Sequence, residues 1–130
     1  MGTAHPAPLD FSGVEMKKNL TASLILLLFA NATWAAAMPP LARQHGCPAC
    51  HDMDKMMVGP PWMDVSRKYL KAKKYKYKDH EYTLEDGLVM KVSDGGDGNW
   101  GSMPMPPNDP NHLNQNDMRE LVRFILQLAK

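Results

Sequence analysis

Apolar and polar positions change rhythm several times along the chain, and each change predicts an element. The longest apolar run is Leu20 to Ala30, centred on Leu24-Ile25-Leu26-Leu27-Leu28-Phe29 and placed just after Lys17 and Lys18. Beyond it the apolar residues become periodic. Near the far end Met118, Leu121, Val122, Ile125, Leu128 and Ala129 recur at three- and four-residue steps, which places them on one face of a helix starting at Asn114 or Asn116. Leu84, Leu88 and Val92 make a second stripe behind Thr83, which can cap that helix, with Glu85 and Asp86 in the first turn where acids suit the dipole. Met63 to Leu70 predicts a short helix with Val65 and Leu70 turned inward. Pro39-Pro40 suit a helix start, and a first helix is expected from about Pro40 to Cys50.

The stretches between these helices break periodicity for identifiable reasons. Residues 52–62 contain Gly59-Pro60-Pro61, which cannot continue a helix, and read as a loop. Ser93 to Gly101 carries Gly95, Gly96, Gly98 and Gly101 and is expected to be irregular. Met103-Pro104-Met105-Pro106-Pro107 must run extended, because proline fixes φ and disfavours helix in the residue before it. No segment alternates cleanly enough to predict a strand. The expected architecture is all-α, with about four short helices.

The apolar run changes the domain picture. Met16-Lys17-Lys18-Asn19 is a short positive segment ahead of it, and Ala35-Ala36-Ala37 offers small residues behind it, the layout of a secretory signal peptide over 16–37 cleaved after Ala37. The competing reading is an uncleaved membrane anchor, against which Asn31 and Thr33 interrupt the span. Residues 1–15 hold Asp10 and Glu15 but no Lys or Arg, so translation is expected to start at Met16, leaving 1–15 without a structural role. Residues 38–130 then form one domain. The chain has 130 residues and a formal net charge of +1, and removing 1–37 leaves that charge unchanged, so a basic nucleic-acid-binding protein is excluded. Export would place the mature domain in the periplasm.

The chemistry concentrates at Cys47-Pro48-Ala49-Cys50-His51. Two cysteines three positions apart, followed directly by histidine, form the pattern for covalent attachment of a c-type haem. One helical turn brings both thiols to one side, where they can add to the two vinyl groups of a porphyrin, and His51 can then ligate the iron. The other readings of this pair are a thiol redox couple or half of a zinc site. A thiol oxidoreductase wants strands alternating with helices, and a zinc site needs four ligands, for which His80 and His112 lack a recognisable spacing. His45, His80 and His112 read as exposed histidines, and His5 precedes the mature chain.

An iron held by one histidine has a further position to fill, and the proline-braced stretch 103–107 presents two thioethers, Met103 and Met105. Further upstream Arg67, Lys68, Lys71, Lys73, Lys74, Lys76 and Lys78 make a dense basic stretch interleaved with Tyr69, Tyr75 and Tyr77. It reads either as a solvated helix end and loop, with long side chains covering the rings, or as a docking patch for an acidic partner.

Residues 38–130 resemble the small bacterial class I cytochromes c that shuttle electrons in denitrifying and respiratory chains. The resemblance rests on Gly46-Cys47-Pro48-Ala49-Cys50-His51, Lys55-Met56-Met57-Val58-Gly59-Pro60, Trp100-Gly101-Ser102-Met103-Pro104-Met105-Pro106-Pro107 and the last amphipathic helix. It implies the cytochrome c fold wrapped around one covalently attached haem c. It implies Met105, which directly precedes the Pro-Pro pair, as the second axial ligand, with Met103 at a packing position. It further implies that the Pro60 carbonyl accepts the His51 N–H, that Trp100 and Lys91 bind a haem propionate, and that Asn108 orients the Met105 sulfur. Phe124 matches an aromatic of the last helix, which crosses the first in this family. Relatives often carry an aromatic near position 42, where this chain has Ala42.

Such a chain is expected to be a monomeric one-electron carrier and not an enzyme. Its donors and acceptors would be redox proteins such as a terminal oxidase, a nitrite reductase or a bc1-type complex, docking through 67–78. Membrane contact would be transient or through an uncleaved leader. The alternative is a haem-based gas sensor or peroxidase-like domain with a displaceable sixth ligand.

Overall fold

The structure is a computed structural model, and it describes residues 37–130. The expectations for residues 1–15 and for the leader lie outside the described residues.

Among the described residues four α-helices and one hairpin follow in order: α1 (Pro40–Gln44), α2 (Trp62–Tyr69), β1 (Lys74–Tyr77), β2 (His80–Thr83), α3 (Leu84–Asp94) and α4 (Gln115–Gln127). The last three helices appear where the apolar pattern places them and the first begins at Pro40, so the mostly helical architecture holds. The predicted first helix is cut short, however. It stops at Gln44, Gly46 takes φ +70°, and only a 3-10 turn over Cys47–Ala49 carries the chain onward to Cys50. A left-handed residue after the last helical turn is a common helix stop, and glycine takes it without strain.

The hairpin corrects the expectation that no strand forms. Lys74-Tyr75-Lys76-Tyr77 alternates exposed, buried, exposed, buried, and pairs antiparallel with β2 from Lys74↔Thr83 to Tyr77↔His80. Tyr75 and Tyr77 thereby face the core while the lysines stay in water, so this part of the basic stretch is neither helix end nor loop. Thr83 closes the hairpin and caps α3: its Oγ1 accepts the N–H of Asp86 at 3.2 Å. That helix runs on through Ser93 and Asp94, residues expected to be irregular, and ends at Gly95 with φ +73°.

α3 packs against α4 and the hairpin, α2 packs against α4, and α1 touches the start of α4. The core gathers Ala42, Trp62, Tyr75, Tyr77, Leu88, Val89, Met118, Leu121 and Val122. Met118 and Ala42 are both 0% exposed, and full burial of a side chain the size of Met118 contributes about 1.5–3 kcal/mol. Ala42, where the resemblance suggested an aromatic, is thus fully covered by its neighbours. The aromatic contact is made instead by Phe124 with Trp62, ring centroids 6.0 Å apart and edge to face. Inward packing of α2 comes from Trp62 and Ser66, while Leu70 is 44% exposed, against expectation. His45 also departs from the exposed reading: it is partly buried, and its Nε2 lies 2.9 Å from Asp117 Oδ2, tying α1 to α4.

Candidate functional site

A cleft with about 1110 Å³ of non-atom space, its open mouth included, runs between the elements, and its walls are mainly apolar, among them Leu88, Val92, Leu121 and Val122. Two stretches of chain bring reactive side chains to it. Cys47, Cys50 and His51 come from the first, and Met103 and Met105 from the second.

The first stretch is wound tightly. Cys50 N–H and His51 N–H both reach the Cys47 carbonyl, at 3.1 and 3.0 Å, and Gly59 N–H returns to the Cys50 carbonyl at 2.8 Å. His51 Nδ1 is 2.8 Å from the Pro60 carbonyl oxygen. A carbonyl can only accept, so Nδ1 carries the proton and Nε2 of the neutral ring keeps its lone pair for a ligand's role. Gly59 makes room for this: a Cβ there would sit 2.5 Å from His51 Cε1. Burial pushes the Cys47 thiol up, the reverse of what a reactive redox thiol needs.

The second stretch is held from a distance. Met105 and Gly96 exchange backbone bonds of 2.9 and 3.0 Å. The Gly95 carbonyl is gripped by Tyr77 Oη at 3.0 Å and Lys91 Nζ at 3.3 Å. Further on, the buried Asp109 carboxylate accepts from Leu113 N–H at 2.9 Å, Asn114 N–H at 3.0 Å and Gln115 Nε2 at 3.1 Å. Burial pushes its pKa up, but those donors together outweigh burial and hold it below the ordinary carboxylate range.

Of the two thioethers, Met105 is partly buried and pinned, while Met103 is 63% exposed. Trp100 and Lys91 both line the cleft. Lys68 Nζ lies 4.3 Å over the Trp100 ring and donates to the Asn99 carbonyl. Asn108 is not among the lining residues. Its Nδ2 donates to the Val92 and Pro106 carbonyls at 3.2 and 3.1 Å, so its amide braces the loop that carries Met105. The basic stretch is partly neutralised: Arg67 pairs with Asp64, Lys74 with Glu81 and Lys78 with Asp94, leaving Lys68, Lys71, Lys73 and Lys76 without an ion pair among the described residues.

Reading the sequence missed three residues that shape this cleft. Gly59 and Gly95 stood only for loop character, yet a Cβ at Gly95 would lie 2.3 Å from the Met105 carbonyl oxygen. Tyr75 stood only for a ring beneath lysines, yet it lines the cleft, and the strict alternation of residues 74–77 was the signal for its inward face.

The donor set fits a covalently bound, iron-containing disc. Thiols at one turn's spacing, an imidazole with its Nε2 lone pair available, a thioether and largely hydrocarbon walls suit haem. Among the described residues no group of three or more His, Cys, Asp or Glu could hold a metal by itself.

Comparison with known proteins agrees with this chemistry. The family model Cytochrome c matches residues 39–129. Cytochrome c-551 of Allochromatium vinosum is 41% identical over 88 residues, covering 68% of this chain and 82% of that protein. Cytochrome c-552 of Hydrogenobacter thermophilus is 36% identical over 113 residues, covering 87% and 99%. Among solved structures, wild-type cytochrome c552 of Nitrosomonas europaea aligns with a TM-score of 0.56 at 32% identity, over 68% of this chain and 95% of that one.

Proposed function

The chain belongs to the cytochrome c family, an electron-transfer protein with one covalently attached haem c and not an enzyme, and from that premise we propose that it carries single electrons between redox proteins of a respiratory or denitrifying chain in the periplasm. Bound haem supplies one iron that cycles between ferric and ferrous states. The Cys47 and Cys50 thiols would hold it through thioether bonds, and His51 Nε2 and the Met105 sulfur would ligate its iron. The observation that carries this reading is the commitment of His51 Nδ1 to the Pro60 carbonyl. That bond fixes the tautomer, orients the ring and raises its basicity as a ligand.

Met105 is suited to stay in place through both oxidation states, because the Gly96 pairing and the flanking prolines leave its backbone little freedom. Two ligands that need not move keep reorganisation small and leave no position for a substrate. Met-and-His ligation within apolar walls favours a raised potential. Replacing Met105 with Ala should abolish the ferric sulfur–iron absorbance, lower the reduction potential and let the reduced protein bind carbon monoxide. A wild-type reduced protein that already binds carbon monoxide at neutral pH would favour the sensor or peroxidase alternative.

Partner docking is proposed through the basic face, carried by Lys71, Lys73 and Lys76, which have no ion pair among the described residues. Charge on a rim steers encounter more than it adds affinity, which suits a carrier that must also leave. Electron exchange with a nitrite reductase or terminal oxidase should slow as ionic strength rises. A rate indifferent to salt rules the basic face out.

The leader proposed for 16–37 would deliver the domain to the periplasm, where it works as a monomer. Among the described residues no helix is long and apolar enough to cross a membrane.

A further inference from the structure

We infer that Lys68 is a positioning residue: it ties down the 97–102 loop, and Trp100 within it, so that the loop stands as one wall of the cleft. This rests on the reading that a haem occupies the cleft, and it gives Lys68 a task different from that of the lysines that face a partner.

Gly96, Asp97, Gly98, Asn99 and Trp100 line the cleft as one continuous stretch. That stretch has little stiffness of its own. Gly96, Gly98 and Gly101 all take positive φ, at +108°, +89° and +96°, and glycine has more alternative conformations open to it than any other residue. One internal bond closes the turn, from Gly98 N–H to the Gly101 carbonyl at 3.0 Å. Gly96 is pinned by its exchange with Met105, but the residues after it are not. Among the described residues, the one hydrogen bond that joins 97–102 to the rest of the protein is donated by Lys68 Nζ to the Asn99 carbonyl.

Lys68 grips the loop a second time through the same ammonium. It lies 4.3 Å from the centre of the Trp100 ring and 5.7 Å from that of Tyr69, both within the reach of a cation–π contact. A lysine in the last turn of a helix is favoured there by the dipole, but that preference is met by a side chain lying along its own helix end. Lys68 leaves the end of α2 and crosses to a carbonyl 31 positions further on. The consequence is control of water. A loop held in place keeps that side of the cleft dry, and solvent access is one of the levers on the potential of a haem. A loosened loop would admit water, favour the ferric charge and lower the potential.

The test uses the holoprotein and its Lys68→Met, Lys68→Arg and Lys71→Met variants. Lys68→Met keeps an unbranched side chain and removes the ammonium. It should speed exchange of the Gly98 amide by about three- to thirtyfold, as expected for loss of a cation–π contact and a hydrogen bond at an exposed site, and it should lower the reduction potential. Lys68→Arg keeps a cation that can lie over the ring and should restore both. Lys71 is exposed one turn further along, so Lys71→Met removes an equal charge and should leave Gly98 exchange as in wild type. In the reduced wild type, nuclear Overhauser contacts should join the Lys68 ε-methylene protons to the Trp100 ring. Several results overturn the inference: Gly98 exchange or a potential unmoved in Lys68→Met, an equal rise in exchange in Lys71→Met, no rescue by Lys68→Arg, or no Overhauser contact. Wild type lacking covalent haem would instead sink the cytochrome reading beneath it.

Discussion

His51 and Met105 reach one cleft from arms built in different ways. The bonds that hold His51 begin and end within residues 46–60: the turn from Gly46, the return of Gly59 to Cys50, and the Pro60 carbonyl on Nδ1. Met105 is held by Gly96 and Gly95 at the end of α3, by Tyr77 in the hairpin, by Lys91, and at one remove by the buried carboxylate at the start of α4. Closing a short loop costs little chain entropy, and a long one costs more. The histidine arm is therefore nearly autonomous, whereas the methionine arm borrows its order from the rest of the fold. Loss of sulfur ligation should precede loss of the histidine under stress.

The strongest way to break that contrast is a methyl group at Gly95. Gly95→Ala puts a side chain at φ +73°, where the backbone alone costs roughly 1–3 kcal/mol. The new Cβ would also lie 2.3 Å from the Met105 carbonyl oxygen and 2.8 Å from Pro106 C, both backbone atoms that cannot turn aside. The variant should lose sulfur–iron absorbance at neutral pH while retaining covalently attached haem. Full retention of that absorbance would show that the arm does not depend on the Gly95 approach.

Gly59→Ala tests the local arm and should cost less. Its Cβ would meet His51 Cε1 at 2.5 Å, but the obstacle is a side chain rather than backbone, and Gly59 has no positive φ to strain. The ring must shift against its bond to Pro60. The expected outcome is a lower urea midpoint and a weakened Nδ1–H bond, seen as faster exchange of that ring proton by NMR. If Gly59→Ala destabilised more than Gly95→Ala, the ranking of the arms would be reversed.

The same contrast decides what could be read from residues alone. The histidine arm is contiguous, so its cysteine pair, its histidine and its Gly-Pro-Pro loop all stand within residues 46–61. The amphipathic face of α4 and the Thr83 cap were legible for the same reason, since both are local patterns. The hairpin was not. Its turn is Lys78-Asp79, with Lys78 at φ +53°, where two-residue turns normally advertise themselves with Asn-Gly or Asp-Gly. Seven basic residues in twelve then drew attention from the Lys-Tyr alternation. Nor could residues alone show that Asn108 braces the loop through Val92, a contact across sixteen positions, or that Gly46 would cut the first helix short where Pro48 could have opened a new turn.

The smallest effect is expected at Asp109, the most remote support of the methionine arm, and pH separates it from the others. Its carboxylate has a pKa held below the usual range, because donors from Gln115, Asn114 and Leu113 outweigh the upward push of burial. A carboxyl whose folded pKa is depressed adds stability above its unfolded pKa, about 3.9, and surrenders it as pH falls through the lower folded value. Asp109→Asn should therefore lower the urea midpoint by a constant amount above about pH 5 and by progressively less below about pH 4. The amide would also turn an N–H toward one of the donors that the carboxylate now satisfies. Because this site secures the start of α4 and the chain after Asn108, acid titration of the wild type should bleach sulfur–iron absorbance before far-ultraviolet circular dichroism reports helix loss. Coincident loss of the two signals would mean that both arms yield together, and the cleft would then be one cooperative unit.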